Sequence, residues 1–471
     1  MDYDIIIIGA GPGGYEMAAE ASSRYKMKTA LIEKRDLGGT CLNRGCIPTK
    51  TFLHTAELYE DIKGKGDIFG FTGYENLAVD MSHLQKRKEE VTEILRGGVS
   101  KLLKAAKVDV FEGTGSIVDT GRVNVTTDTE TIGLTGRYIV IATGSKPDRP
   151  EDLPGHDLTG VVTSDEMLDL DKVPESLIIL GGGVIGMELA SVFNSLGSKV
   201  TVLKASSQIF NNLDKELGQS LKMLMKKRGI DIVSGVNVKA IEKTGDGLGC
   251  IYERADDESA EPERLFAEMV LLAKGRKAET EELIDESASD PVKSLEFDNR
   301  GRIVVDEHFK TNVEGIYAIG DCINGNNLSG HAQLAHVAAA EGKNLLAYLN
   351  KEETAKELSV IPSCIYTSPE IASVGLNPDD HKNKGSDFIV KKFPMGANGK
   401  SVLTAQERGF IKVIADAGTR KVLGASMMCA RATDMISVFS QAIVKGLTVD
   451  DLGKVIYPHP TFCESIGEAC K

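Results

Sequence analysis

The sequence has no run of about 18 apolar residues, so it lacks a helix able to cross a bilayer. It also lacks a basic segment followed by an apolar one at its start. Met1-Asp2-Tyr3-Asp4 leads straight into a strand-like run, which argues against a secretory signal. The absence of a transit peptide fits a bacterial or already processed protein. Positive charge is in deficit: 55 Lys and Arg stand against 69 Asp and Glu, a formal net charge of −14. Such a chain offers no basic footprint for nonspecific nucleic-acid binding and none for an anionic membrane surface, so neither partner is expected. The excess acid is compatible with a basic docking partner, and solubility is its plainer explanation. Cysteine is sparse. Eight in 471 residues, without dense regular pairing, do not make a disulfide scaffold. A reducing intracellular compartment, the cytoplasm, is expected, and a disulfide there is usually catalytic. No solenoid repeat, low-complexity tract or metal-ligand cluster stands out.

What is present begins with apolar patterning. At roughly 150 residues per domain the length gives three or four domains, and a hydrophobic fraction of 41% sustains their cores. Ile5 to Ile8 reads as a buried parallel strand. Gly9-x-Gly11-x-x-Gly14 follows, then a helix of small residues around Ala18, Ala19 and Ala21, then a strand from Thr29 to Ile32 ending at Glu33. The glycines permit a tight turn and close approach of a pyrophosphate to a helix N-terminus, and Glu33 is placed to accept from a ribose. The pattern recurs: a strand over Leu177 to Leu180, then Gly181-x-Gly183-x-x-Gly186, a helix, and a strand over Val200 to Leu203. Two such units imply two dinucleotides.

Between these units stands Gly38-Gly-Thr-Cys41-Leu-Asn-Arg-Gly-Cys46-Ile-Pro-Thr-Lys50. A thiol pair directly after a dinucleotide-binding unit is placed to exchange electrons with what that unit holds. This block resembles the flavin disulfide oxidoreductases. Its wording, Leu-Asn-Arg between the cysteines and Ile-Pro-Thr-Lys after them, resembles most the dihydrolipoamide dehydrogenases. Further matches are Ala142-Thr143-Gly144, Gly181 to Glu188, Gly315 to Asp321, Ile361 to Gly375, and His459 to Glu464.

The resemblance implies an α/β fold with two Rossmann-like domains, for FAD and NAD(P), and a C-terminal α+β dimerisation domain. Its boundaries would be 1–147 (FAD), 148–275 (NAD(P), after a linker marked by Pro147, Pro150 and Pro154), 276–348 (completing the FAD site) and 349–471 (interface). Within the last, Phe410 to Ile414 reads as strand and Ser437 to Val444 as amphipathic helix, whereas the charged residues 251–265 read as a solvated hairpin tip.

The resemblance also assigns roles. Cys41 and Cys46 form the redox disulfide. Because positions i and i+5 of a regular helix lie too far apart for such a bond, the segment must be distorted or become helical only after its first turn. Lys50, paired with Glu188, holds a cation near thiolate and flavin. Thr143, Gly144, Gly275 and Asp321 line the cofactors, with Asp321 at the end of a strand. His459 is the base and Glu464 its orienting acid, reaching the flavin site of the other subunit of a homodimer. No lipoyl domain precedes Met1, so a separate lipoyl-bearing carrier is expected, from a 2-oxo acid dehydrogenase or the glycine cleavage system.

One position departs from the NAD-specific pattern. Lys204, followed by Ala205-Ser206-Ser207, stands where an acid usually bonds the adenosine ribose. A lysine attracts a 2′-phosphate instead, yet Gln208, Asn211 and Asn212 supply no arginine cluster, so the nucleotide preference stays open, as does a solvent-facing Lys204. A reductase of another small disulfide, driven by NADPH, is the alternative activity. Cys463 and Cys470 do not form the adjacent terminal pair of mercuric reductases, and Cys463 is expected to pack against the helix that carries Glu464.

Overall fold

Ile5, Ile6 and Ile7 are fully buried and Ile8 nearly so, because the strand Tyr3–Ile8 runs through the middle of a sheet covered on both faces. In the computed structural model, residues 1–210, 213–245, 247–255, 261–325, 332–381, 387–406 and 408–471 are described. The chain divides into two units, one of Met1–Pro48, Lys86–Pro147 and Arg276–Ser359, the other of Thr49–Gln85, Asp148–Gly275 and Val360–Lys471.

In the first unit the sheet order is Asp109–Glu112, Thr29–Glu33, Tyr3–Ile8, Thr131–Ile141, Arg122–Thr126, Thr114–Asp119, with Ile316–Ala318 also pairing Thr131–Ile141. The pairs around Tyr3–Ile8 are parallel, while the last three strands form an antiparallel flap. The helix Pro12–Ser23 buries its small residues, among them Ala18 and Ala21. Each fully buried isoleucine of this core contributes about 1.5–3 kcal/mol. The stretch before Asp321 differs from the expected strand. The strand is Ile316–Ala318, Ile319 continues it in extended conformation, and Asp321 sits in a short 3-10 turn, Gly320–Cys322. Gly320 has φ +78, and its N–H donates to the buried Glu341 Oε2 at 2.7 Å, which turns the chain out of the sheet.

Among the described residues the second unit holds three sheets. A parallel one has the order Asp231–Ser234, Lys199–Lys204, Ser176–Leu180, Met269–Leu272, Val161–Val162. An antiparallel one joins Val236–Thr244, Gly247–Arg254 and Glu263–Ala267. The last two strands flank the expected charged hairpin tip, of which residues 256–260 lie outside the described residues, as do Asn211 and Asn212. The third sheet is antiparallel, in the order Ser363–Ile365, Glu370–Gly375, Val422–Cys429, Phe410–Asp416, Phe388–Pro394. The strand expected from Phe410 and the helix expected over Ser437 to Val444 fall within Phe410–Asp416 and Ala432–Lys445. Phe410–Asp416 is buried on both faces. Phe410 packs with Ile365, Ile371 and the parallel-sheet core, whereas Ile411 and Val413 pack with Ile436 and Phe439 of the helix.

Lys412 lies in this doubly covered strand and is 7% exposed. Its Nζ bonds Asp214 Oδ2 at 2.6 Å and Glu216 Oε2 at 2.8 Å, while Asp214 Oδ1 caps the helix Lys215–Lys227 by accepting from Glu216 N at 2.8 Å. Lys412→Met strands the buried Asp214 carboxylate and is expected to cost about 3–5 kcal/mol, read from urea denaturation. Burial lowers the Lys412 pKa, but the two carboxylates outweigh it and hold the value above the usual one. Its contribution is therefore full below the ordinary lysine pKa of about 10.4 and lost as pH rises through the raised value. Burial likewise raises the Glu216 pKa, and Lys392 and Lys412 outweigh it to hold it below the usual glutamate value. That contribution is present above the usual value and lost as pH falls through the lowered one. The difference in stability between wild type and Lys412→Met shrinks at both extremes.

Candidate active site

Gly9 opens the first turn at φ +106, where any Cβ would collide with the Ala142 carbonyl. The helix Pro12–Ser23 follows with Gly11 at its N-cap and no side chain capping it, and an uncapped helix N-terminus offers backbone donors to a ligand. A Cβ on Gly11 would meet nothing within 4 Å, and Gly14 packs the helix against the turn. Glu33 Oε2 accepts from Ala10 N at 2.8 Å, and Oε1 accepts from Arg35 N at 2.9 Å. An open turn, an uncapped helix N-terminus and a carboxylate at the end of the second strand fit the pyrophosphate and ribose of a dinucleotide.

In the same unit Thr143 and Gly144 follow the strand Thr131–Ile141. Gly144 has φ +72, and its carbonyl accepts from Glu279 N at 3.0 Å. Asp321 Oδ2 accepts from Ser145 Oγ at 2.6 Å, and Ser145 is gripped in turn by Arg276, whose Nε donates to Oγ at 2.8 Å and Nη2 to the carbonyl at 2.7 Å. Ser145 and Arg276 do not stand out in the sequence, although each directly follows a glycine that does. Gly275, at φ +150, accepts from Asp148 N at 3.0 Å through its carbonyl.

Cys41 lies in a short helix, Gly39–Asn43, and Cys46 begins the helix Cys46–Phe69. The break between them falls at Arg44, with φ −140 and ψ 9. The two cysteines therefore do not share a regular helix, and the i to i+5 spacing of one does not hold them apart. Cys41 is half-buried and Cys46 exposed. Asn43 fastens the short helix, its Nδ2 donating to Leu37 O at 3.0 Å and Gly39 O at 2.9 Å, and Arg96 Nε donates to its Oδ1 at 3.2 Å.

Lys50 follows Cys46 by one helical turn. Its Nζ bonds Glu188 Oε2 at 2.7 Å and lies 4.3 Å from the centre of the Tyr366 ring. Glu188 is 3% exposed, and its Oε1 accepts from Tyr366 N at 3.0 Å. The cation thus stands between a buried carboxylate and an aromatic face. Tyr366 carries no signal of its own in the sequence, although it lies inside the Ile361 to Gly375 block. Lys50→Met leaves the Glu188 charge buried with its backbone donor. A loss of about 3 kcal/mol is expected in urea denaturation, the low end for a buried pair because the lysine side chain is partly exposed.

His459 Nδ1 and Glu464 Oε2 lie 2.9 Å apart. Glu464 starts the helix Glu464–Cys470, and its Oε1 accepts from Asn398 Nδ2 at 3.3 Å. Asn398, buried, also donates to Thr461 O at 3.0 Å and accepts from Ser401 N at 2.8 Å. A carboxylate on Nδ1 leaves Nε2 facing outward to accept a proton, and the His459 side chain is 77% exposed. No sequence signal marks Asn398, a lone amide outside the matched blocks. Cys463, half-buried, is the N-cap of the same helix and packs against the core cluster that includes Cys470.

The second turn repeats the first. Gly181 has φ +123, and a Cβ there would collide with the Ala273 carbonyl. Gly183 faces open space, and Gly186 packs against the Gly181 carbonyl. The helix Val184–Ser195 starts at Gly183 without a side-chain cap. Lys204 does not run out to solvent: it is 7% exposed, and its Nζ donates to Ser206 O at 2.9 Å and to Gln208 O. Among the described residues no group of three or more His, Cys, Asp or Glu is placed to hold a metal ion, and no helix is long and apolar enough to cross a membrane.

Residues 3–342 match the family described as pyridine nucleotide-disulphide oxidoreductase, and residues 361–470 match its dimerisation domain. A dihydrolipoyl dehydrogenase of Bacillus subtilis is 38% identical, with 99% of this chain and 97% of that protein covered. One from Trypanosoma brucei brucei is 35% identical, with 99% and 96% covered. Among solved structures, the Cu(II) complex of the HOCl-induced flavoprotein disulfide reductase RclA from Escherichia coli superimposes with a TM-score of 0.86 at 27% identity, covering 100% of this chain and 99% of that one.

Proposed function

The chain belongs to the pyridine nucleotide-disulphide oxidoreductase family, and from that footing we propose that it oxidises protein-bound dihydrolipoamide through a Cys41–Cys46 disulfide, reducing a nicotinamide nucleotide. The observation that carries the reading is the placement of Cys41 and Cys46 across a helix break directly after the first dinucleotide unit. The similarity to dihydrolipoyl dehydrogenases over nearly the whole chain supports the substrate.

A substrate thiolate attacks Cys41 Sγ and releases Cys46 as thiolate. His459 takes the proton of the second substrate thiol, whose sulfur then displaces Cys41 and closes the lipoyl disulfide. The protein is left as a dithiol carrying the electron pair. Lys50, one turn beyond Cys46 and fixed by Glu188, favours the thiolate. FAD, when bound, would supply the two-electron redox chemistry that couples this dithiol to a nicotinamide nucleotide. The first turn, Glu33 and Asp321 are the residues that would hold it. His459 of one subunit serves the cysteine pair of the other, so the homodimer is the active form. The carrier is a separate lipoyl-bearing protein of a 2-oxo acid dehydrogenase or glycine cleavage system, and the setting is the cytoplasm.

Steady-state rates with dihydrolipoamide and a nicotinamide nucleotide test this reading. Parallel double-reciprocal lines are expected, the mark of a ping-pong cycle. Faster NADPH-driven turnover of glutathione disulfide than of lipoamide would replace the substrate.

A further inference from the structure

The two dinucleotide turns correspond residue by residue through their sheet registers. In the first, Ile8 pairs with Ile32, Gly9 N donates to Ile32 O at 2.8 Å, and the next residue of that strand is Glu33. In the second, Leu180 pairs with Leu203, Gly181 N donates to Leu203 O at 2.9 Å, and the next residue is Lys204. Glu33 and Lys204 hold one place in two copies of the same motif, with opposite charge. Their local contacts correspond as well. Glu33 bonds the N–H of Ala10, the residue between the first two glycines. Lys204 lies across Gly182, the equivalent residue, where an added Cβ would meet its Cε at 2.8 Å and its Cδ at 2.9 Å.

At this place a carboxylate serves an adenosine ribose because both ribose hydroxyls donate to it. An ammonium has three donors and no acceptor, so Lys204 offers those hydroxyls nothing to donate to. Among the described residues no ion pair neutralises its charge. Its Nζ bonds Ser206 O, Ser206 Oγ and Gln208 O, none of them a carboxylate. Burial pushes its pKa down, and so does its charged neighbour, a second cation, the exposed Lys222. The same bonds hold the 206–208 loop at the strand end, with the Ser207 side chain exposed there as a further donor. Two ammonium groups and a serine-bearing loop match a phosphate ester rather than a free diol.

We propose that the second dinucleotide site prefers the 2′-phosphorylated nucleotide, NADP(H), over NAD(H), and that Lys204 decides the preference. The proposal rests on the reading that this unit binds a nicotinamide nucleotide, and it specifies which one.

The test is calorimetric titration of the FAD-loaded protein with 2′,5′-ADP and, separately, with 5′-AMP at low ionic strength. The two probes differ only in the 2′-phosphate. Wild type is expected to bind 2′,5′-ADP at least about tenfold more tightly, the scale of one added charge-assisted contact. The ratio should narrow with added salt and fall in Lys222→Ala, whose exposed position makes it a safe variant for folding. In Lys204→Glu the ratio should fall to one or below. Equal or tighter binding of 5′-AMP by wild type, or binding of neither probe, overturns the proposal. Anaerobic addition of dihydrolipoamide without nucleotide reads the dithiol half alone. Loss of flavin absorbance there, together with a preference for 5′-AMP, sinks this proposal and leaves the proposed function standing.

Discussion

Replacing Cys46 by serine will reduce dihydrolipoamide oxidation to background, a loss on the order of 10³ or more, as when one member of a catalytic unit is removed. The expectation follows from what a hydroxyl cannot do. It forms no disulfide with Cys41, so the substrate thiolate finds no sulfur–sulfur bond to attack. Cys46 is an exposed residue at the start of a helix, so the exchange of sulfur for oxygen disturbs no core packing. Folding and FAD content should therefore survive, and the variant should stay yellow. Cys41→Ser should fail equally in turnover. Steady-state rates with flavin content measured alongside decide the matter. Turnover within tenfold of wild type in either variant would exclude the disulfide route.

His459→Gln is expected to slow the same reaction by about 10²–10⁴, the usual contribution of a positioned general base. The geometry behind this is a relay of fixed groups. Asn398 holds one oxygen of Glu464, and the other oxygen holds His459 Nδ1, leaving Nε2 as the proton acceptor. Glu464→Gln keeps the shape and removes the charge, so it should slow the reaction less than loss of the imidazole does. Asn398→Ala should act only by loosening Glu464. As a positioning residue it should shift the pH profile of the anaerobic half-reaction more than its amplitude. A His459→Gln rate within tenfold of wild type, measured in that half-reaction, would contradict the assignment.

The sequence is most legible where one kind of physics acts alone. The isoleucine run Ile5 to Ile8 needs a two-faced burial that only an inner parallel strand supplies, and it occupies one. The glycine turns are readable because backbone space there is absolute, as the carbonyls facing Gly9 and Gly181 make plain. A break between Cys41 and Cys46 follows from the short reach of a disulfide alone, and it falls at Arg44.

Legibility falls where a residue's effect depends on partners remote in the chain. Asn398 touches Glu464 across 66 positions, and nothing in its own neighbourhood announces that. Ser145 matters because Arg276 grips it from 131 positions away. The path to Asp321 reads as one strand because its residues are apolar, but the Gly320–Glu341 bond bends it. Lys204 is visible as a departure in charge. That its ammonium is buried and tied to the 206–208 loop is a fact of tertiary packing.

Delivery of electrons from a dithiol substrate through Cys41 and Cys46 underlies every role assigned above. It is tested most directly by mixing anaerobic dihydrolipoamide with the purified FAD-loaded protein in a stopped-flow spectrometer, without nucleotide. Wild type is expected to lose oxidised flavin absorbance rapidly, Cys46→Ser to lose none, and nucleotide to be reduced when NAD or NADP is then added. An unchanged flavin spectrum in wild type, or an equal change in Cys46→Ser, would contradict it.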